Sequence, residues 1–420
     1  MRISNIHESR LKDGNRLIHV RAGLPIAYIS VWFGVGSRFD PVGKEGLSHF
    51  LEHLFMKTSD RFPLEADSLR YFANNGIRYN ATTSPHRMWF RFSCADFRAK
   101  AAMKDFLSIL STSYLDKDLF RTEKNIIEDE RMKRLSLPSR QLLELSKRGL
   151  FPGTLLARSV LGSKESVDAV SFDDVAAFLE RHITKSPKTF VVVSEVEHEE
   201  LSTLFADFTA PASLTPSLPS EILPAPLPII TSTNTAKHAE VSLNFRTCSI
   251  RDVDDVLPLQ VLCKAYLTGS NFSRLGNRLR TEKRLTYGVG AEMENAMDTG
   301  YVMFRFSVPP SRVAEALKVC DEEITKVGGG EISSEELSAC KEHFAFSLLE
   351  KSMDPESVAN WYAHQALAEL PTRSIEDAVG AVHRLTADDL QRVARKYLVS
   401  ENRSVAVLGP VSAEDVVLPA

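Results

Sequence analysis

Read against itself at an offset of about 213 residues, the chain repeats, and that repeat restricts the folds open to it more than any other feature. Ile29–Ser37 (ISVWFGVGS) matches Val241–Ser249 (VSLNFRTCS) at an offset of 212. WFRFSC from Trp89 matches MFRFSV from Met303 at 214, and FVVV from Phe190 matches SVAV from Ser404 at 214. Asp173 and Asp174, which open a predicted helix, match Asp388 and Asp389 at 215. Four anchors in one order predict a duplicated domain. Near the middle, Pro211–Pro228 reads PASLTPSLPSEILPAPLP, with six prolines and almost no charge. Proline lacks a backbone donor and has a fixed φ, so this stretch reads as an extended linker. The expected domains are 1–210, a linker at 211–228, and 229–420.

Each half mixes element types. In the first, β-rich segments at Ile26–Phe33, Trp89–Cys94 and Thr189–Ser194 alternate with helical patterns at Gly46–Met56, Leu64–Asn74 and Leu119–Leu135. The expected class is α+β: two homologous domains, each a largely antiparallel sheet with helices packed on it, in a clamshell arrangement.

The strongest chemical signal is GLSHFLEHLFMKT, Gly46–Thr58. Leu47, Phe50, Leu51, Leu54 and Phe55 fall on one helical stripe, and His49, Glu52 and His53 fall on the opposite side. Two histidines four residues apart point the same way, about one turn apart, so both imidazoles can reach one ion. Glu52 shares their side and is placed to hold a water rather than the metal. An amphipathic helix with two chance histidines is the plainer reading. The carboxylate favours hydrolysis, since HxxEH is the inverted order of the HExxH motif.

Such a site needs a third ligand. In LFRTEKNIIEDERMKR from Leu119, the residues Leu119, Phe120, Ile126 and Ile127 form an apolar stripe. Glu123 and Glu130, two turns apart, fall within it, whereas Glu128 and Asp129 point away. A carboxylate on a buried face is costly unless paired or metal-bound. The third ligand is therefore expected at Glu130 or Glu123, against the alternative of a buried salt bridge.

These residues resemble the pitrilysin/insulinase family of zinc peptidases. That pattern is HxxEH, a glutamate 77 residues after the second histidine, and another seven before it. Here Glu130 follows His53 by 77 residues and Glu123 precedes Glu130 by seven. The resemblance implies His49, His53 and Glu130 as ligands of one zinc per chain. It implies Glu52 as general base and Glu123 as an auxiliary catalytic carboxylate. Asn80-Ala81-Thr82-Thr83 resembles the family's substrate-binding edge strand. Arg280, seven residues before Tyr287, is similar to an arginine–tyrosine pair that reaches the substrate carbonyl. Three positions depart from the pattern: Ile77, His86, and the absence of a glycine after Lys57. At an offset of 213, Glu123 aligns with Glu336, Glu130 with His343, and neither histidine is repeated, so one site per chain is expected.

Composition bounds the rest. Charged residues are 25% and net charge is −4, so no basic stripe points to nucleic acid. No apolar run is long enough for a membrane span, and no leader is visible, so a cytoplasmic protein is expected. Five scattered cysteines indicate neither a disulfide framework nor a cysteine metal site. The function these features imply is a zinc endopeptidase acting on unfolded peptides, paired as a homodimer or heterodimer. The alternatives are a partner-dependent maturase of a ribosomally made peptide and a non-catalytic subunit.

Overall fold

The computed structural model describes residues 5–11, 14–206 and 216–416. The first five residues of the proline-rich segment, 211–215, lie outside them, and 216–228 forms neither helix nor strand.

Two sheets form. The first holds β1 (Asn5–Arg10), β2 (Arg16–Arg21), β3 (Ile26–Phe33), β4 (Arg78–Thr83), β5 (Met88–Ala95) and β6 (Thr189–Val193), in the order β1-β2-β6-β3-β5-β4. The second holds β7 (Ile229–Ser232), β8 (Ala239–Thr247), β9 (Val289–Asn295), β10 (Gly300–Val308) and β11 (Arg403–Leu408), in the order β7-β11-β8-β10-β9. Dropping β1, the two orders coincide strand for strand. The pairing directions coincide too: β2 with β6 and β7 with β11 are parallel, and every other pair is antiparallel. The duplicated α+β architecture is thus present. The aspartate anchors repeat in detail as well. Ser171 with Asp174, and Thr386 with Asp389, each form a reciprocal cap at a helix start.

The chain packs as two compact units that are not consecutive in sequence. One comprises Met1–Met132, Arg158–Ser220 and Glu350–Ile375; the other Lys133–Ala157, Glu221–Leu349 and Glu376–Ala420. A single cut at the proline-rich segment therefore does not describe the packing. The reason lies in the sheets. β6 (TFVVV) is buried along its whole length, and β11 nearly so. Strands apolar on both faces need a layer on each side. Helix Pro355–Leu367 packs on β6 and β3, and helix Pro138–Leu150 packs on β11 and β8. Each of these layers comes from the other sequence half.

In the first unit the helices that matter are α1 (Leu47–Leu54), α2 (Glu65–Asn75), α3 (Ala99–Thr112) and α4 (Lys117–Leu135). On β5, Met88, Phe90, Phe92 and Cys94 are buried while the alternate residues are half-buried. Phe33, Phe55 and Phe90 pack edge-on, with centroids 5.0 to 6.5 Å apart, beneath α1. No helix among the described residues is long and apolar enough to cross a membrane.

Candidate metal centre

α1 is short, so its ends need support. Gly46 precedes it at φ +96°, where a side chain would be strained and a Cβ would meet Leu161 O at 2.9 Å. The buried carboxylate of Asp40 accepts the N–H groups of Gly46 and Ser48, each at 2.9 Å. It thereby satisfies donors that a helix start leaves orphaned. Burial pushes the Asp40 carboxyl up, to about 7, even against these bonds. The apolar stripe Leu47, Phe50, Leu51 and Leu54 is buried as its spacing requires.

α4 meets the polar face of α1 where Glu123 and Glu130 approach the two histidines, and on the apolar side Phe50 stacks on Phe120 at 4.7 Å. On α4 the inward residues are Glu123 and Ile127, with Glu130 half-buried one turn on. Ile126, expected on the apolar stripe, is 46% exposed, because the inward stripe runs through Ile127. Glu128 is drawn off by Arg131, and Asp129 is exposed.

His49, His53 and Glu130 come together. Their ligating atoms all lie within 4.8 Å of one another, the only such group of three among the described residues. Glu130 Oε2 stands 3.7 Å from His49 Nε2 and 3.2 Å from His53 Nε2. Two ligands about 2.05 Å from one tetrahedral zinc stand about 3.3 Å apart, so the donor set and its spacing both fit that ion. The other ring nitrogen of His53, Nδ1, is 2.8 Å from Glu123 Oε2. A proton on Nδ1, donated to that carboxylate, leaves Nε2 with its lone pair toward the cluster. Glu123 thus sits behind His53 rather than in the cluster. Its Oε1 accepts from Lys57 Nζ at 2.8 Å.

The electrostatics favour a cation here. Burial lowers the His53 pKa, but Glu123, Glu130 and the charge of Glu52 outweigh it and raise it to about 9. Burial raises Glu123, while His53 and Lys57 hold it below the usual carboxylate range. Glu52 is half-buried and adds its negative charge beside His53.

Asn80, Ala81 and Thr82 lie on β4, the sheet edge, paired on one side only with β5. β4 packs against α1, and Tyr79 OH donates to Phe55 O at 3.3 Å. Asn80 Oδ1 accepts the N–H of Ala81, and Thr82 Oγ1 accepts from Arg91. Arg280 and Tyr287 belong to the second unit. The Arg280 guanidinium stands 4.6 Å from the centre of the Tyr287 ring and donates to Asn271 Oδ1 at 2.7 Å. Lys57 and Asp40 were not singled out from sequence.

The second unit has no such cluster among its described residues. Helix Val313–Gly329 is three residues longer than α3, and helix Ser334–Ser352 matches α4 in length at an offset of 217. The counterparts of Glu123 and Glu130 are therefore Cys340 and Ser347, not Glu336 and His343. Glu336 instead accepts from Arg274 at 2.9 and 3.0 Å and from Tyr266 at 3.0 Å.

Comparison with known proteins agrees with this division. The sequence pattern described as Insulinase (Peptidase family M16) matches residues 19–164, which contain the whole cluster. That described as Peptidase M16 inactive domain matches 169–344, which contains Arg280 and Tyr287. An uncharacterized zinc protease of Mycobacterium leprae is 24% identical, over 98% of this chain and 94% of that protein. A probable mitochondrial-processing peptidase subunit beta of Arabidopsis thaliana is 23% identical, over 92% of this chain and 74% of that protein. The crystal structure of a protease from Helicobacter pylori superposes with a TM-score of 0.84 at 20% identity, covering 97% of this chain and 100% of that one.

Proposed function

The chain belongs to the insulinase family of peptidases, peptidase family M16, and from that premise we propose that it is a zinc-dependent endopeptidase acting on unfolded peptides. One observation carries the reading: His49, His53 and Glu130 each bring a ligating atom within 4.8 Å of the others, with Glu130 Oε2 3.7 and 3.2 Å from the two Nε2 atoms, a donor set that suits one tetrahedral ion. These residues would hold one zinc per chain. Bound there, zinc supplies Lewis acidity that brings the pKa of a coordinated water to about 7.

The chain's own groups do the rest. A carboxylate oxygen of Glu52 takes a proton from the attacking water and passes it to the leaving amine. Glu123 holds His53 in one tautomer and so positions a ligand rather than reacting. β4 would bind the substrate backbone by strand addition, with Asn80, Ala81 and Thr82 along it. Arg280 and Tyr287 would hold and polarise the substrate carbonyl. A cytoplasmic location belongs to the same proposal.

A second reading has a specific observation behind it: one relative is named as a subunit, and the inactive-domain pattern covers much of the second half. On that reading the chain works only with a partner, a second copy or a related chain, as a peptide maturase or as a non-catalytic subunit. The test is to purify the chain alone, measure zinc by elemental analysis and solution mass by light scattering, and assay a quenched peptide beside a folded protein. Zinc at one per chain with peptide cleavage is expected. Bound zinc without cleavage by the lone chain would favour the partner-dependent reading, and absence of zinc binding would remove the peptidase reading.

A further inference from the structure

Lys57 lies outside the residues that the proposed reaction uses, yet it binds behind them on two sides. The chain reaches it through an uncommon turn. α1 ends at Leu54 and Phe55 is extended. Met56 then takes φ +63°, a left-handed conformation that a side chain of its size rarely adopts. Neighbours hold it there. Its N–H donates to Ser113 Oγ at 2.9 Å, and its side chain is buried.

The turn delivers Lys57 Nζ to 2.8 Å from Glu123 Oε1 and 2.9 Å from Glu65 Oε1. Glu65 is the first residue of α2, and Glu123 lies in the middle of α4. Glu123 Oε2 is in turn 2.8 Å from His53 Nδ1 on α1. One ammonium group therefore ties α2 to α4 and, through one carboxylate, to the imidazole ring. The Glu123 side chain is only 2% exposed, so its charge needs a partner in place. With Oε1 pinned, the carboxylate cannot rotate freely, and Oε2 stays on Nδ1.

We propose that Lys57 is a positioning residue of the metal centre, locking Glu123 onto His53 so that His53 Nε2 stays turned toward His49 and Glu130. The inference rests on the zinc reading above and adds to it a residue that acts only through Glu123.

The test is zinc affinity, measured by chelator competition on the full chain. Lys57→Met should bind zinc about tenfold to a hundredfold more weakly than wild type, because it releases Glu123, the outer partner of His53, whose loss has an effect of that size. Lys57→Arg, which keeps the cation, should recover most of that. Glu123→Ala should lose as much as Lys57→Met, and the double variant no more than Glu123→Ala alone. The visible spectrum of cobalt-substituted Lys57→Met should shift toward that of cobalt-substituted Glu123→Ala. Should Lys57→Met fail to fold, Lys57→Gln carries the same expectation. Wild-type zinc affinity in the folded Lys57 variant would overturn the proposal. So would losses that add in full in the double variant, which would mean Lys57 acts by another route. A wild-type chain that binds no zinc would instead overturn the metal reading itself.

Discussion

Arg131 grips Glu128 with two charge-assisted hydrogen bonds, Nε to Oε2 and Nη2 to Oε1, each 2.7 Å. That fork holds the Glu128 carboxylate below the usual range and commits both its oxygens one turn from the metal cluster. Two residues on, Glu130 turns its Oε2 to both histidines. The phase of α4 thus separates two glutamates that a sequence places almost side by side. Glu130→Ala should lower zinc affinity by on the order of a hundredfold or more, at least the loss caused by an outer partner. Glu128→Ala should leave it within about a factor of two, because both Glu128 oxygens are committed to Arg131 and it supplies no atom to the group of three ligands. Elemental analysis of dialysed protein reads both. Metal lost from the Glu128 variant alone would mean the phase of α4 is wrong.

Glu52→Gln removes a proton acceptor and keeps the shape. Glu52 is half-buried on the polar face of α1 and supplies no atom to the group of three ligands. Turnover should fall about 10²–10⁴-fold, the contribution of a positioned general base. Zinc content should not change. A zinc-loaded variant that turns over at the wild-type rate would take Glu52 out of the proton-transfer step.

How much of this was legible beforehand follows from what a single sequence encodes. α1 was readable because four apolar residues and three polar ones fall on opposite sides of one helix. The repeat was readable through the strands, whose lengths hardly drift between copies. The offset of 213 failed locally, at helix Ser334–Ser352, because the three-residue extension of the helix before it leaves no mark without a second sequence to align. The exchange of helices Pro138–Leu150 and Pro355–Leu367 was not readable either. Amphipathicity says that a helix has a face to bury, not which sheet will cover it. Lys57 was hidden by Met56, whose left-handed turn is imposed by Ser113 and by packing rather than by its own preference.

The second unit offers a pH test. Asp255 is buried, and burial pushes its carboxyl up. Hydrogen bonds from Arg392, Lys396 and Tyr397 outweigh that and hold it at about 2, below the ordinary 3.8. A depressed carboxylate stabilises the fold above its unfolded value and loses that contribution as pH falls through the folded one. Arg392 and Lys396 are about half exposed, which limits the effect through solvent screening. Asp255→Asn should therefore cost about 1–2 kcal/mol at pH 7. The gap should shrink as pH falls from 3.8 toward 2. Urea unfolding of both proteins across that range reads it. A gap that stays constant down to pH 2 would mean the loss is packing rather than charge.

Tyr287 is 87% exposed, with a guanidinium stacked on its ring and that guanidinium anchored by Asn271. A stack on an exposed ring contributes only about 0.5–1 kcal/mol, so stability alone gives little reason to hold these three groups together. On the proposed reading these groups bind substrate. Tyr287→Phe keeps the ring and the stack and removes only the hydroxyl. If that hydroxyl supports the developing oxyanion, turnover should fall about 10²–10³-fold. Stability should stay within about 0.5 kcal/mol and zinc content should not change. Asn271→Ala keeps the hydroxyl but frees Arg280, so it should raise KM more than it lowers kcat. Steady-state kinetics on one quenched peptide, with zinc measured on the same samples, separates the two patterns. Wild-type kinetics in both variants would leave the pair with no part in the reaction. An equal loss of kcat in both would mean that Asn271 does more than anchor Arg280.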